Sequence, residues 1–479
     1  MKMNAEKRVL FGISFDGVPM SGLTVEFMKV AHIFHQKGYQ VYFDLGYDIK
    51  ADKNNYHKDL PSWDAHWMTL KRICDLRDLS DYNRAFVEEV LETIVRHEDN
   101  GSKGRHMRDR VDRVAAIISD RILKVWRELE VSFVIVENGT LPENIIFTRA
   151  LYEAIRIYGK ERNLGKFVMW RDHDLMWWSE PGKYGSFPYE GTPKPQPLPY
   201  IQHVVIQGLA RDRLSRWAPG LHVEVLTNCF SFERAGINDN NRYFRRDFSI
   251  PEKAVLIARC TRIIPQKRID RDIHLLSQLT AMAKIGGVNR EFCLFIAGDI
   301  NEDRAEFEKL CRLASQLGVA SQVIFGKELG PFEERFPSRR SRGRYSVKDL
   351  LAHCQINSFL TSYDYEGFGN PIGESIASGI PYMSTSYELY GSIYGHIGFK
   401  APLLPICKKR DDFADEDFVG KLFSFLMDDK SLRETVDYNY SLGEQYFSLD
   451  QLEQRIVNIF KLSGFGDYEG CNRQERTYP

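Results

Sequence analysis

The alternation of short apolar runs with amphipathic helical segments restricts the fold of this chain more than any other feature of its sequence. The first round opens with the apolar run "RVLFGIS" at residues 8–14, which a loop containing glycine and proline follows. A segment with apolar residues at helical spacing comes next: Leu23, Phe27, Val30, Ala31 and Phe34. We expect Gly38 to end that helix and residues 41–45 to form the next strand. This order predicts a parallel, doubly wound sheet.

The same alternation restarts in the second half of the chain. The runs "AVLIARC", "EFCLFIAGD", "QVIFG" and "INSFLTS" are predicted strands, and helices are expected to start at Asp270, Asp303 and Val347. A chain of 479 residues is too long for one typical domain. We therefore predict an α/β protein of two doubly wound halves and a helical tail able to pack on either half: 1–243, 244–440 and 441–479. The cleft between the halves is the expected place for chemistry.

Two segments interrupt the pattern in the first half. Residues 50–130 are rich in charge and helical in pattern, which predicts a helical insertion or lid. Residues 181–199 carry six prolines, and a loop of that length is usually functional or mobile. Between these segments, the predicted strands in "VSFVIVENG" and "KFVMWRDHD" both end in polar residues, as strands do at the active edge of an α/β sheet.

The charge balance argues against a nucleic acid or an anionic membrane as partner. Lys and Arg number 65 against 66 Asp and Glu, so the net charge of -1 creates no global attractive field. The basic run at residues 335–344, "RFPSRRSRGR", is interpreted as a solvated loop, with an RNA-binding module as the alternative.

Cysteine usage and hydropathy indicate a cytoplasmic protein. The eight cysteines are scattered without a CxxC spacing, which favours reduced thiols over a disulfide scaffold. The N-terminal segment turns polar too early for a signal peptide, and no apolar run reaches the length of a membrane span.

The stretch "YEGFGNPIGESIASGIP" at residues 365–381 holds the densest chemical signal. It follows the last predicted strand, so we expect a turn and then a helix that starts near Pro371, is capped by Asn370 and ends at Gly379. Gly367 and Gly369 allow the backbone to approach a ligand closely, and the first amides of the helix form an anion site.

Glu366 and Glu374, with seven residues between them, are predicted to face one ligand from two sides. Because carboxylates repel phosphate, their natural partners are hydroxyl groups. A nucleotide sugar combines a diphosphate with two polyhydroxylated rings and fits both requirements. The alternative is one surface glutamate and one that caps the helix.

This stretch resembles the E-x7-E segment of the retaining, two-Rossmann-domain (GT-B type) nucleotide-sugar glycosyltransferases. "RIIPQKRID" at residues 262–270 is similar to the R-x4-K diphosphate clamp of that family, and "PMSGLTVEFMKVAHIFHQKGYQV" to its N-terminal glycine loop and helix. The likeness covers most of the chain outside residues 50–130. The group includes sucrose-phosphate synthase, and further phrases such as "HDLMWW" and "HVVIQGLARDRL" are similar to enzymes of the mannosylglucosylglycerate synthase kind.

The resemblance implies roles for residues of the second half. Glu366 would lie by the donor sugar, Glu374 would hold the ribose, and Arg262 and Lys267 would stabilise the leaving diphosphate. The implied donor-binding residues are these: Gly22, Phe368, Gly369, Asn370, Ile372 and Glu374. Position 261 is Thr where the family usually has Gly, and 229–231 replaces the family's G-V-D.

In the first half, His173 resembles the histidine that contacts the transferred sugar in such enzymes, although a strand-end histidine is often structural. Asp172, Glu137 and Trp177 are candidates for binding the acceptor. The aromatic residues near the proline-rich loop either stack on a sugar or pack that loop on the domain.

The predicted reaction is metal-independent, retaining transfer of a hexose to a small sugar or glycoside. No DxD pair lies in a convincing loop, and Arg262 and Lys267 can replace a metal. The sequence leaves open GDP-mannose or UDP-glucose as donor, the identity of the acceptor, the oligomeric state and covalent catalysis by a carboxylate. The alternatives are a nucleotide-sugar epimerase or hydrolase and a non-catalytic nucleotide-sugar binding protein.

Overall fold

The computed structural model describes residues 8–14, 22–44, 67–73, 79, 82–96, 101–141, 145–175, 194–326, 329, 345–463 and 465. Most of the predicted proline-rich loop, Trp177 and the basic run at 335–344 lie outside these residues. The chain divides into two units, the first comprising residues 1–227 and 452–479 and the second residues 228–451. The division after Thr227 differs from the predicted boundary at 243. No helix within the described residues is long and apolar enough to cross a membrane.

The first unit is built on a seven-stranded parallel sheet. Its strands are β1 (Val9–Ser14), β2 (Gln40–Asp44), β3 (Met68–Leu70), β4 (Phe133–Glu137), β5 (Val168–Asp172), β6 (Ile201–Val205) and β7 (Val223–Val225). Their order is β3-β2-β1-β4-β5-β6-β7, so the direction of winding reverses beside β1. Ligands of such sheets bind at the carboxyl ends of the strands near this reversal.

Helices cover the sheet of the first unit. They are α1 (Gly22–Gln36), α2 (Arg84–Val90), which continues as a π-helix (Leu91–Arg96), α3 (Ser102–Leu129), α4 (Ile145–Glu161) and α5 (Gly208–Trp217). Helix α1 ends where predicted, since Gly38 follows it in the left-handed region at φ 85° and donates its amide to His35.

Within the described residues, the segment predicted as a helical insertion contains a strand as well as helices. Helices α2 and α3 lie within residues 50–130, and α3 packs against α4. The prediction missed β3, which pairs in parallel with β2 and extends the sheet. Three residues of strand carry too little periodicity to be distinguished from a loop by pattern.

The second unit contains a six-stranded parallel sheet. Its strands are β8 (Val255–Cys260), β9 (Phe292–Ala297), β10 (Val323–Gly326), β11 (Ile356–Phe359), β12 (Tyr382–Thr385) and β13 (Leu403–Leu404). Their order is β10-β9-β8-β11-β12-β13, so winding reverses beside β8. The four predicted strands are present, and the short strands β12 and β13, of which β13 lies at the edge of the sheet, were not predicted.

The helices of this unit are α6 (Phe244–Asp247), α7 (Ile269–Ile285), α8 (Arg304–Gln316), α9 (Val347–His353), α10 (Asn370–Ser378), α11 (Tyr390–Ile393), α12 (Glu416–Met427) and α13 (Asp429–Phe447). Side-chain caps explain where two of them begin. Asp303 accepts the amide of Glu306 ahead of α8, and Ser346 forms a capping box with Asp349 ahead of α9.

The tail forms α14 (Leu449–Ser463), and the chain from residue 452 onwards belongs to the first unit. Phe460 packs against Phe34 and Phe133, with ring centroids 5.7 and 5.0 Å away. Lys37 and Glu453 form an ion pair at 2.8 Å. The helical spacing in the tail is therefore confirmed, and its apolar face covers the sheet of the first unit.

Candidate active site

The turn between β11 and α10 contains a glycine in a backbone conformation that other residues rarely adopt. Gly369 lies in the left-handed region at φ 91° and caps α10, which begins at Asn370 and ends at Ser378 with Gly379 as its C-cap. The predicted cap at Asn370 is thus wrong by one residue. A Cβ at position 369 would lie 2.7 Å from the hydroxyl oxygen of Tyr387, so space as well as conformation requires glycine there.

Packing beneath α10 is equally close. A Cβ at Gly373 would lie 2.1 Å from the ring of Phe230, so the helix sits directly on that phenylalanine. Asn228 donates its side-chain amide to the side-chain oxygen of Asn370 at 2.9 Å. These contacts hold the first turn of α10, where the amide of Ile372 donates to the carbonyl oxygen of Gly369 at 2.9 Å.

Lys267 and Glu366, which are 99 residues apart in the chain, form an ion pair. Lys267 ends a short 3₁₀ segment after β8, and Glu366 stands in the turn after β11. Their side chains are 13% and 10% exposed, which leaves the pair within reach of a ligand. Thr361 donates to the same Glu366 oxygen at 3.3 Å. The structure therefore joins two of the residues that the sequence nominated.

Arg262 and Glu374 are the other two charged candidates of the second unit, and each has a neighbour outside the Lys267–Glu366 pair. The half-exposed guanidinium of Arg262 donates its Nε to Glu302 at 2.6 Å, a contact that the sequence did not suggest. Glu374 lies near the end of β8, where burial and then the charge of Glu374 raise the pKa of Cys260 well above its usual range. The side chains of Phe368 and Ile372 are buried, so they face a ligand only through their backbone.

A buried arginine supports the segment that carries Lys267. Arg259 is fully buried, donates to the carbonyl oxygen of Lys267 at 2.5 Å and to that of Ser358 at 2.9 Å, and lies 3.2 Å from the Asp272 carboxylate. Burial raises the pKa of Asp272, whereas the charge of Arg259 lowers it. Sequence reasoning missed this support, although an arginine inside the apolar run "VLIARC" was a signal for a buried partner.

A second polar cluster lies at the carboxyl edge of the sheet in the first unit. His173 Nε2 lies 2.6 Å from Glu137, and Arg171 lies 3.6 Å from Glu137 and 3.7 Å from Glu26. Lys29 completes the chain of charges by pairing with Glu26 at 2.8 Å. Glu137, predicted to bind an acceptor, is fully buried and has its carboxylate directed at protein partners.

Asn138 fixes the start of the loop after β5. It lies in the left-handed region at φ 58°, and its side-chain oxygen accepts the amides of His173 at 2.6 Å and Asp174 at 3.2 Å. Glu137 orients the ring of His173, and Asn138 binds the backbone amide of the same residue. His173 is therefore held in one position.

Asp172, the other acceptor candidate in this cluster, is also buried. Thr140 donates its hydroxyl to Asp172 at 2.6 Å and its amide at 3.3 Å. Burial raises the pKa of Asp172 from 3.8 to about 7, and the hydrogen bonds from Thr140 oppose that rise. Trp170 nearby is fully buried and stacks on Tyr152, with ring centroids 4.8 Å apart, so this aromatic ring belongs to the core.

Gly22, predicted to bind the donor, is the exposed first residue of α1.

Asp172→Asn is expected to change how stability depends on pH. Because the folded-state pKa of Asp172 lies above the unfolded one, the associated stability is complete below about pH 4 and is lost as the pH rises through about 7. The melting temperature of the wild type should therefore fall relative to that of the variant between these values. If the melting temperatures of the wild type and of Asp172→Asn changed by the same amount from pH 4.5 to 8, the proposed titration of Asp172 would be contradicted.

The topology of the two sheets identifies the fold. Two parallel α/β units with this topology constitute the GT-B fold of glycosyltransferases. Sucrose-phosphate synthase from Thermosynechococcus elongatus superposes with a TM-score of 0.61, over 95% of this chain and 99% of that one, at 11% identity. The Anabaena protein HepE, in complex with UDP and glucose, has a TM-score of 0.57, over 95% and 100%, at 12% identity.

Two curated relatives are similar to part of this chain in sequence. The chain is 26% identical over 276 residues to mannosylglucosylglycerate synthase from Thermotoga maritima, which covers 54% of this chain and 61% of that protein. The enzyme of the same name from Petrotoga mobilis is 26% identical over 263 residues, or 52% and 59%. The chain thus spans about three fifths of the length of these relatives. No protein-family model matches the sequence.

Proposed function

We propose that the protein transfers a hexose from a nucleoside-diphosphate sugar to a hydroxyl group of a small sugar or glycoside. The observation that carries this proposal is the Lys267–Glu366 ion pair beside the Gly369 turn. The pair unites a cation and a carboxylate at the sheet edge where α/β proteins bind ligands. A sugar donor that carries a diphosphate offers an anion to Lys267 and hydroxyl groups to Glu366.

Donor binding would redistribute the charges of the second unit. Lys267 would exchange Glu366 for the diphosphate, and the released carboxylate would accept hydroxyl groups of the sugar. Arg262 would add a second cation, the amides of Gly369 and Asn370 would hold phosphate oxygens, and Glu374 would bind the ribose. Negative charge that develops on the leaving diphosphate is then stabilised by groups already in place.

In the first unit, His173 is the residue we assign to the transferred sugar. Its Nε2 is engaged by Glu137, so the ring presents a defined nitrogen and a defined face. Asp172 and Glu137 are buried among protein partners, which favours a supporting role for both over direct contact with an acceptor.

We propose a retaining, metal-independent reaction. Two cationic side chains near the diphosphate can supply the positive charge that a metal ion provides in other enzymes. With Glu366 as the carboxylate nearest the sugar, the leaving phosphate oxygen would take the proton of the attacking hydroxyl on the same face. A glycosyl ester on Glu366 is the covalent alternative. The names of the relatives favour a small glycoside acceptor, and the HepE complex favours a UDP-sugar, with GDP-mannose as the other candidate donor.

The test is a donor panel followed by product analysis. Stabilisation of the wild type is measured with UDP, GDP, ADP and their sugars in the presence of EDTA, and products with small hydroxylated acceptors are identified by mass spectrometry. We expect one nucleotide sugar to be consumed only when an acceptor is present, and NMR to show the anomeric configuration retained.

Each other outcome has a defined meaning. Donor turnover without acceptor would indicate an epimerase or hydrolase, and binding without turnover a nucleotide-sugar sensor. An inverted product or a strict requirement for metal would refute the proposed mechanism, and binding of none of these nucleotides would refute the proposed function.

A further inference from the structure

A cluster of four buried tyrosines lies behind the glycine-rich turn of the second unit. Its members are Tyr382, Tyr387, Tyr390 and Tyr394, and each is at most 3% exposed. The ring of Tyr390 lies 5.9 Å from that of Tyr387 and 6.0 Å from that of Tyr394. Buried hydroxyl groups require hydrogen-bond partners, and the partners divide this cluster into two pairs.

One pair of hydroxyl groups binds the turn, and the other pair does not. Tyr387 donates to the carbonyl oxygen of Phe368 at 2.5 Å, and Tyr394 donates to that of Gly369 at 3.0 Å. The hydroxyl groups of Tyr382 and Tyr390 bond to each other at 2.9 Å. Tyrosine hydroxyl groups therefore bond two consecutive carbonyl groups of the turn, and that of Gly369 also accepts the amide of Ile372 at 2.9 Å.

Holding these carbonyl groups also orients two amides. In a planar trans peptide the C=O bond points opposite to the N–H bond of the next residue. A carbonyl of Phe368 that faces Tyr387 directs the amide of Gly369 away from the tyrosine cluster, and the carbonyl of Gly369 does the same for the amide of Asn370. Glycine at 369 permits this arrangement, because its φ of 91° suits few other residues.

We propose that Tyr387 and Tyr394 are positioning residues that aim the amides of Gly369 and Asn370 at the diphosphate of the donor. The inference rests on the proposed function and identifies two residues that orient its anion site. Burial raises the pKa of Tyr387 well above its usual range, so its hydroxyl remains a donor across the working pH. Pre-oriented amides bind an anion without the entropy cost of ordering the turn.

The experiment compares phenylalanine substitutions within the same cluster. Kd values of the wild type, Y387F, Y394F and Y390F are measured by calorimetry for the nucleoside diphosphate that binds among UDP, GDP and ADP, and for the matching nucleoside. We expect Y387F and Y394F each to weaken diphosphate binding about tenfold while nucleoside binding stays within error. Y390F removes a hydroxyl group from the same core without touching the turn and should leave both affinities unchanged.

The ratio of the two affinities separates positioning from general loss of structure. A merely structural role would weaken nucleoside and diphosphate together and leave their ratio constant, and that result in both variants would overturn the inference. If Y387F does not fold, Y394F with Y390F provides the same comparison. A wild type that binds none of the three diphosphates refutes the proposed function itself, whereas wild-type binding with unchanged ratios refutes only the role of the tyrosines.

Discussion

Lys267→Ala is expected to lower kcat by about 10²- to 10³-fold, as removal of one preorganised group that stabilises transition-state charge typically does. Lys267 is the cation joined to Glu366, and its side chain is 13% exposed beside the turn after β11. Departure of a nucleoside diphosphate concentrates negative charge at the leaving oxygen, and an alanine offers no compensation. Steady-state kinetics with the donor identified by the panel measures the loss.

The matched control for this substitution is Lys284→Ala. Lys284 is an exposed lysine in the last turn of α7, so its loss removes the same charge from the same unit. We expect kcat of that variant to equal the wild-type value. Lys267→Arg keeps the charge with a different shape and should retain part of the activity. A kcat for Lys267→Ala within about threefold of wild type would remove Lys267 from the proposed mechanism.

Arg259→Met is expected to lower the free energy of unfolding by about 3–5 kcal/mol, the usual result of breaking a buried ion pair on one side. Arg259 and Asp272 are both fully buried in the second unit, 3.2 Å apart. Methionine fills much of the volume but leaves the Asp272 carboxylate without the Arg259 cation and removes a donor from two carbonyl oxygens. Urea unfolding followed by circular dichroism gives the value.

Two further variants show whether the loss comes from the unpaired charge. Arg259→Met combined with Asp272→Leu removes both ions and should recover most of the lost stability. Arg304→Met removes an arginine from an exposed pair with Glu308, and its effect should stay below about 1 kcal/mol. Equal stability of Arg259→Met and Arg304→Met would show that the buried pair contributes nothing. Because Arg259 also bonds the Lys267 carbonyl, the first variant should lose activity as well.

Local signals made the site turn predictable. Glycines at 367 and 369, a proline at 371 and a glycine at 379 limit the backbone to a turn followed by a short helix, whatever surrounds them. The structure has that turn, and it also brings Lys267 to Glu366. The support behind the turn carried no such signal, because Tyr387 and Tyr394 reach Phe368 and Gly369 only through the packing of β12 and α11.

Burial changed the interpretation of several polar residues. Glu137 and Asp172 follow apolar runs as ligand-binding residues often do, but both side chains are enclosed by neighbours from other elements. Whether a polar residue at a strand end faces solvent or protein depends on contacts distant in sequence. Contacts distant in sequence also decided the division after Thr227 and the side on which α14 packs.

The amino-acid sequence alone determined that this chain forms two parallel doubly wound sheets and that a glycine-rich turn flanked by acidic residues opens the first helix after β11. Apolar periodicity and the backbone preferences of glycine and proline act over a few residues, so they are legible without coordinates. Only the tertiary structure decided which charges are paired, which polar groups are buried and which hydroxyl groups hold the turn. Those outcomes depend on the free energy of burying groups from distant segments together, and no local pattern records it.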